Sequence, residues 1–462
     1  MLNAYNQVPL VKGTDSFEKW ENSPVPYYMK FYIFDLTNRQ EYQNGGKANV
    51  TQRGPYVFKE VKQKKIANIS NDGANIVYQE VKSYYFIEKL SNGTLDDQIT
   101  FINIPAISAA KVVTQKSPMG ADLLNGLFEK LDEKVVEKKT VKQILFDGYE
   151  VAFLKKLEAI AKKLKIPFDS PLPDNTFGLF YRKNCTMDTR NCLDNFVYGI
   201  DSGKFDVDNV AQYISLNGSS TLNFWNGTYC NMLNGTDGSR FHPSISASER
   251  LYMFNIDLCR SVYFDSVGEV DLKGINLLKF TPAKAFYKSP YGEPSNECFC
   301  VKPKAEEAQC QYDGILDIST CRKGAPIAIT APHFYKVDPR IAQLVNGLSP
   351  DQKLHETFVD IEPNTGLAMN AARRVQVNVQ TQNYSDIAIF SNLNPSLVPF
   401  LWLEETATID DKSADEFKSK VYSKVRLLSG LMIAAIVIGL LLVLIAFGVY
   451  AFYRRSMYSF TV

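Results

Sequence analysis

Residues Leu427–Tyr453 read LLSGLMIAAIVIGLLLVLIAFGVYAFY, a run of about 27 residues without a charge. As an α-helix, rising about 1.5 Å per residue, it would span roughly 40 Å, more than the ~30 Å hydrocarbon layer of a bilayer needs. Arg454 and Arg455 follow at once, and the chain ends at Val462. The run reads as a membrane helix over 427–453 with a short cytoplasmic tail over 454–462. Residues 1–426 are then one extramembrane domain. The arginine pair supports that orientation by the positive-inside bias, although Lys424 and Arg426 on the other flank oppose it.

Two further features place the domain outside the cytosol. Asn-x-Ser/Thr sequons occur at Asn49, Asn68, Asn92, Asn184, Asn217, Asn226, Asn234 and Asn383. Those at Asn217, Asn226 and Asn234 are each followed by Gly and read as surface acceptors. The chain has eight cysteines, none in the anchor or tail, and six of them fall between Cys230 and Cys321. An even, clustered set in a sequon-rich chain reads as disulfides formed in an oxidising compartment. Zinc is the rival use of Cys298, Cys300 and Cys310, but the paired CxxC knuckles of a structural site are missing. A lumenal or extracellular domain needs an export signal, and Met1–Leu10 (MLNAYNQVPL) contains neither a signal peptide nor a membrane helix. The expectation is an N-terminal signal-anchor, present in the full gene product and lacking here.

Formal net charge is +1 and apolar residues make up 45% of the chain. A neutral, apolar-rich chain excludes nucleic-acid binding by bulk charge and excludes extended disorder. The first hundred residues are strand-like: Tyr27–Asp35 (YYMKFYIFD) is aromatic-rich, and Gly54-Pro55 precedes Tyr56-Val57-Phe58. From 117 to about 165 the pattern turns helical. Leu123, Leu127, Leu131 and Val135 fall four apart; Phe153, Leu157, Ile160 and Leu164 share one face of a second helix. Thr140 with Gln143 predicts a capping box. Short strands and turns return from Phe177 to about Val379, where Val375, Val377 and Val379 alternate with Gln376 and Asn378. The fold class is α+β, a mostly antiparallel β body with a helical insertion.

Catalytic constellations are absent. There is no HExxH, no GxSxG, and no GxxxxGK[ST] or GxGxxG opening a helix. Of the three histidines, His242, His333 and His355, the last two have carboxylates within reach in sequence, but no nucleophile motif accompanies them. They read as hydrogen-bonded structural residues, and neither metal nor cofactor is implied. The insertion is rich in lysine. Glu129, Asp132, Glu133 and Glu137 interleave with Lys130, Lys134, Lys138, Lys139 and Lys142, which reads as a solvated helix face. Lys155, Lys156, Lys162, Lys163 and Lys165 have only Glu158 nearby and form the better anion-binding surface for lipid or an acidic partner.

Several stretches resemble a known family. Asp35-Leu36-Thr37-Asn38 and Arg53-Gly54-Pro55-Tyr56-Val57-Phe58 look like the N-terminal signatures of the class B scavenger receptors. That family includes fatty acid translocase, a lysosomal integral membrane protein and insect sensory neuron membrane proteins. The likeness runs in order through Thr140–Tyr149, Asp257-Leu258-Cys259-Arg260-Ser261, Cys298-Phe299-Cys300 and Gly314–Cys321. It continues through Ala331-Pro332-His333-Phe334 and Asp360–Gly366 to Leu401-Trp402-Leu403-Glu404.

The resemblance implies two terminal membrane helices holding a β-barrel-like ectodomain. An apolar tunnel crosses the barrel, and a membrane-distal helical bundle, here 117–165, captures ligands. It also implies the disulfides Cys230–Cys298, Cys259–Cys321 and Cys300–Cys310. Cys185 and Cys192 lie outside the family's set and read as an added local bridge.

The expected function is a cell-surface receptor that binds fatty acids, sterol esters or lipoproteins and passes lipid to the membrane. Alternatives are a receptor that carries a soluble protein through the bundle, as in the lysosomal branch, and a sensory co-receptor for hydrophobic odorants. The tail has no cysteine to palmitoylate and no acidic dileucine signal, which favours the plasma membrane over a lysosomal or endosomal membrane. The terminal Phe460-Thr461-Val462 has the apolar spacing of a PDZ ligand.

Overall fold

The computed structural model describes residues 8–116, 118–186, 196–300 and 311–458. In chain order the main elements are α1 (Asp15–Glu21), β1 (Tyr27–Leu36), β2 (Ala48–Ile69), β3 (Asn75–Phe86), β4 (Gln98–Ile102), α2 (Ile104–Lys116), α3 (Pro118–Leu131), β5 (Val136–Thr140) and α4 (Ala152–Leu164). There follow β6 (Tyr198–Asp201), β7 (Tyr213–Leu216), β8 (Leu251–Asn255), β9 (Arg260–Leu272), β10 (Ile275–Pro282), β11 (Ile327–Thr330), β12 (Phe358–Glu362), β13 (Leu367–Thr381), β14 (Ser396–Thr408), α5 (Asp411–Phe417) and α6 (Ser423–Tyr458).

One antiparallel sheet runs β8-β9-β10-β12-β13-β14-β1-β2-β3-β6-β7. β13 shares one edge between β12 along its first half and β11 along its second. A sheet of this length must curl, and here its two edges nearly meet. The connection at Gly235-Thr236 stitches them. Tyr213 donates its N–H to the Gly235 carbonyl (2.9 Å), and on the other side Thr236 donates to Tyr252 (3.2 Å) and accepts from Phe254 (3.0 Å). Gly235 has φ +91°, and a Cβ there would fall 2.0 Å from the Tyr252 carbonyl oxygen. Only glycine combines that backbone with that approach.

The expected strand at Tyr27–Asp35 is β1, at the centre of the sheet between β14 and β2. Met29, Phe31 and Ile33 face one way and Lys30, Tyr32 and Phe34 the other, the alternation that a strand imposes. The valine alternation of β13 also marks a strand, but its polar side is the drier one. Gln376 and Asn378 have no exposed surface, because β11 and the segment after it cover them. Gln376 Nε2 donates to Asn378 Oδ1 (2.7 Å), while Gln376 Oε1 accepts the His333 amide (2.7 Å). Asn378 Nδ2 lies 3.1 Å from both the Ala328 carbonyl and Thr330 Oγ1. Full pairing makes such burial tolerable.

The helical insertion departs from its predicted outline. It begins earlier: the Asn103 side chain accepts the Ala106 amide (3.0 Å) and caps α2, which the apolar spacing did not reveal. In α3, Leu127 is buried, but Leu123 is half exposed and Leu124 takes the core position. Asp132, at φ +54°, ends that helix, and Val136–Thr140 pairs with β4 as a strand. Helical charge spacing therefore has no meaning for Glu133 and Glu137 or for Lys138 and Lys139. The capping box is present, with Gln143 Oε1 accepting the Thr140 amide (3.0 Å) and Thr140 Oγ1 accepting the Gln143 amide (3.3 Å). It starts a single wide turn, Gln143–Asp147, that buries Ile144, Leu145 and Phe146. α4 buries Phe153, half-buries Leu157 and Ile160, and leaves Leu164 exposed.

α6 contains the apolar stretch Gly430–Tyr453, whose side chains are uncovered and long enough in sum to cross a bilayer. The stitch at Gly235 offers a direct test of closure. Gly235→Val should lower unfolding free energy by about 2 kcal/mol or more, the scale of backbone strain plus a displaced strand edge. Urea melts of the purified protein measure it, and a variant as stable as the parent would show that the edges do not depend on this contact.

Candidate functional site

The nearly closed sheet lines a cavity of about 1310 Å³. That exceeds the ~300–1,000 Å³ of sites for drug-sized ligands. Its apolar wall includes Met253, Phe264, Val262, Ile329, Val359 and Val375 from β8, β9, β11, β12 and β13. At one end Lys62, Lys64, Glu80, Lys82, Arg373 and Glu405 line it; at the other, Asp15, Lys19, Phe417, Lys420 and Met432. Met432 belongs to the apolar stretch of α6. The cavity therefore reaches the apolar stretch of α6.

The inner end is an ion-pair lattice built across neighbouring strands. Alternate residues of β2 and β3 point inward, and antiparallel register sets Lys64 opposite Glu80, Lys62 opposite Lys82 and Glu60 opposite Tyr84. Lys82 pairs with Glu80 (2.7 Å) and Lys64 with Asp237 (3.3 Å). Lys62 bonds Glu405 of β14 and lies 3.8 Å from Glu60. Glu405 also takes Arg373 of β13 (2.7 Å), which reaches Asp257 (3.6 Å). On the outer face Glu404 pairs with Arg374 (2.9 Å) and Lys30 (2.8 Å).

These charges shift one another's titration. Burial lowers the Lys62 ammonium, yet Glu405 and Glu60 more than offset it and hold it above the usual lysine range. Burial raises Glu405, but Arg373 and Lys62 overcome it and keep this carboxylate well below the usual range. Glu60 goes the other way. Burial raises it, Glu405 adds to the rise, and its Oε2 has no hydrogen-bond partner while Tyr84 Oη donates to Oε1 (3.2 Å).

Next to the lattice lies a group of aromatic rings. One inward position along from Glu60 on β2 is Phe58, which with Phe31, Tyr84, Phe146 and Phe180 forms an aromatic plug. Ring centroids lie 5.7 Å apart for Phe31–Phe58, 5.0 Å for Phe58–Phe146, 5.6 Å for Phe146–Phe180 and 5.7 Å for Tyr84–Phe180. Among the described residues, none between Lys82 and Tyr198 lines the cavity, so α2, α3 and α4 take no part in it. The cavity lining thus reaches from the segment of α6 at Met432 to the ion-pair lattice.

At the mouth α1 meets α5 and the turn Lys418–Tyr422 that leads into α6. Lys19 pairs with Asp15 (3.1 Å) and Glu416 (3.0 Å), and Lys420 with Glu416 (2.8 Å) and Asp15 (3.6 Å). These four groups are exposed and screened, so they orient the rim more than they stabilise it.

A family model described as "CD36 family" matches residues 2–450. The chain belongs to the CD36 family. Human Lysosome membrane protein 2 is 31% identical over 417 residues, covering 90% of this chain and 82% of its own length. Scavenger receptor class B member 1 of Sus scrofa is 30% identical over 408 residues, with 88% and 75% covered. The same receptor in Cricetulus griseus is 31% identical over 432 residues, with 93% and 80% covered. The protein is thus a membrane protein of scavenger-receptor type.

This CD36-family chain distributes the residues singled out from sequence over several places. Cys230 is bonded to Cys298 (Cα–Cα 6.0 Å) and Cys259 to Cys321 (6.5 Å), two of the pairings the resemblance implied. Cys185 and Cys300 are also disulfide-bonded, while Cys192 and Cys310 lie outside the described residues, as does Phe460-Thr461-Val462. Asn68, Asn92, Asn217, Asn226 and Asn383 are exposed, and Asn49 and Asn234 are half-buried. Asn184 is buried, its Oδ1 accepts the Tyr84 amide (3.0 Å) and its Nδ2 donates to the Tyr84 carbonyl (3.2 Å). Lys155, Lys156, Lys162, Lys163 and Lys165 are all exposed on α4 and just beyond it, far along the chain from any cavity-lining residue. Lys155 pairs with Glu150 (2.6 Å).

His333 and His355 stack at 4.6 Å beside Trp402, which itself stacks on Tyr32 at 3.9 Å. His333 Nδ1 accepts the Ser349 amide (3.1 Å), leaving Nε2 to donate to Gln52 Oε1 (2.7 Å). Burial, helped by His355, lowers His333 from 6.5 to about 4. Burial lowers His355 as well.

The lattice residues missed in the sequence reading are the most informative of the site. Their signal was present as charges at alternate positions of β2 and β3, where an inward apolar row would be usual.

Two predictions follow from these charges. Arg373→Met leaves Glu405 and Asp257 short of a buried partner and should destabilise by about 3 kcal/mol. Glu60→Gln should do the opposite at neutral pH. A raised carboxyl stabilises the fold below its unfolded pKa and loses that contribution as pH rises, so the variant's advantage should appear at pH 7.5 and vanish below pH ~4.5. Urea melts at both pH values decide; an Arg373→Met protein of parental stability would show that the lattice is not coupled. For His333 the sign reverses. Its lowered pKa gives stability that is complete above pH ~6.5 and is lost as pH falls toward 4. His333→Asn should show a shallower loss of melting temperature between pH 6.5 and 4.5, and an unchanged slope would acquit His333.

Proposed function

We propose that this protein is a cell-surface receptor that holds a hydrophobic ligand, such as a fatty acid or sterol ester, in the barrel cavity and exchanges it with the bilayer. One observation carries the reading: an apolar-walled cavity of about 1310 Å³ shares Met432 with the membrane helix. Moving an acyl chain through water costs roughly 0.8 kcal/mol per CH₂, and a path that begins at the bilayer surface avoids it. Transfer of this kind needs no covalent step. The exposed lysines Lys156, Lys162, Lys163 and Lys165 suit the capture of lipoproteins or anionic lipid particles at the bundle, by electrostatic attraction.

A second reading has its own support. Met119, Leu123, Leu164 and Ile166 expose 50–80% of their surface on the helical bundle. Apolar residues at that exposure suit a protein ligand bound at the bundle, and this use would not need the cavity.

The test is lipid extraction and mass spectrometry of the full chain, purified from eukaryotic cells in a mild non-ionic detergent. Stoichiometric fatty acid, sterol ester or carotenoid is the expected result. Loss of that lipid from a Val262→Trp, Val375→Trp variant that still folds would place it in the cavity. A protein that is empty and takes up no labelled lipid would favour the protein-carrier reading.

A further inference from the structure

The lattice cations and the two lysines at the mouth all sit in ion pairs. Arg240 is the exception on the cavity wall: among the described residues no carboxylate lies within ion-pair distance of it. It is only 7% exposed. Its Nη1 donates to the Val8 carbonyl (2.6 Å) and to Ser16 Oγ, both uncharged. Asp237, three residues away, is already engaged by Lys64 (3.3 Å) and by the Ser239 amide (2.9 Å) and hydroxyl (2.6 Å).

The backbone fixes Arg240 firmly. It is bridged to Leu367, and Phe241 next to it donates to the Gly366 carbonyl (2.8 Å). Burial lowers the guanidinium to about 10, with Asp237 opposing, so it remains charged at neutral pH. A buried cation without a counter-charge is rare in folded proteins, because desolvation is not repaid by Coulomb attraction. On the wall of a cavity the missing charge can come from a ligand.

We propose that Arg240 is the headgroup site of the cavity, taking the anionic headgroup of an amphiphile, carboxylate or phosphate, while the hydrocarbon tail lies against Met253, Leu367 and Met369. This rests on the lipid reading above and narrows it. A planar guanidinium with donors in a fork suits both oxyanions. A neutral hydrophobe such as a sterol ester leaves Arg240 unpaired and is the poorer ligand.

The full chain in non-ionic detergent is titrated with a fluorescent polyene fatty acid, its methyl ester and the matching alkyl phosphate. Energy transfer from Trp20, which lines the same cavity, reports binding. The acid should bind at least about tenfold more tightly than the ester, the scale of one charged hydrogen bond. Arg240→Gln keeps a donor for the Val8 carbonyl and removes the charge; it should bring the acid down to the ester's affinity and leave the ester unchanged. Arg240→Lys should retain most of the preference. The tighter of the acid and phosphate arms identifies the headgroup source. Equal affinity for acid and ester in the parent overturns the proposal, as does an unchanged preference in an Arg240→Gln protein whose melting temperature is normal. If neither acid nor ester binds the folded parent, the lipid reading fails and this proposal falls with it.

Discussion

A sheet that nearly closes on itself must either fill its interior or tolerate a hollow one, and this barrel does both, with buried charge marking the boundary. Lys62, Glu405 and Arg373 come from three different strands, yet antiparallel register brings them into contact. None is stable there alone, since a lone buried ion costs several kcal/mol. Each strand therefore holds the others in register, because a slip of one residue would turn every partner to the opposite face. The lattice is a constraint on the fold before it is a feature of the site.

On one side of that boundary the interior holds aromatic rings. Phe31, Phe58, Tyr84, Phe146 and Phe180 come from β1, β2, β3, the turn after Thr140 and the segment beyond α4, so the plug ties the helical insertion to the barrel. Asn184 clamps the Tyr84 backbone from outside. On the other side the interior stays open to the mouth formed by α1, α5 and α6. The same strands thus provide packing at one end and space at the other. Only the side chains at alternate positions differ, aromatic in one stretch and charged in the next.

Much of the architecture was legible because it follows from local pattern. The apolar run at 427–453 needs no tertiary context to be recognised, and α6 contains it. Tyr27–Asp35 is β1, and the pairing of Thr140 with Gln143 starts a turn as the capping box predicts. The stretches quoted from Asp35 to Glu404 carried the family resemblance over nearly the whole chain. Local pattern failed where context overrides it. Asn103 caps a helix that the apolar spacing did not show, and Val135 continued a helical period that Asp132 had already ended. The alternation of Gln376 and Asn378 with valines marked a strand but did not show that these two polar side chains lie under a second layer.

By itself the sequence determined the membrane helix, the alternation of strands, the helical insertion and the clustering of cysteines, because each depends on residues close together in the chain. Tertiary structure alone decided that Glu60, Lys62, Lys82, Arg373 and Glu405 share one interior, that five aromatic rings gather beside them, and that Asn184 is buried against the Tyr84 backbone. It also decided that Arg240 lines the cavity without an ion-pair partner among the described residues. Those facts depend on which strands become neighbours and on the direction in which the sheet curls, and both are set by long-range pairing that no local window of sequence contains.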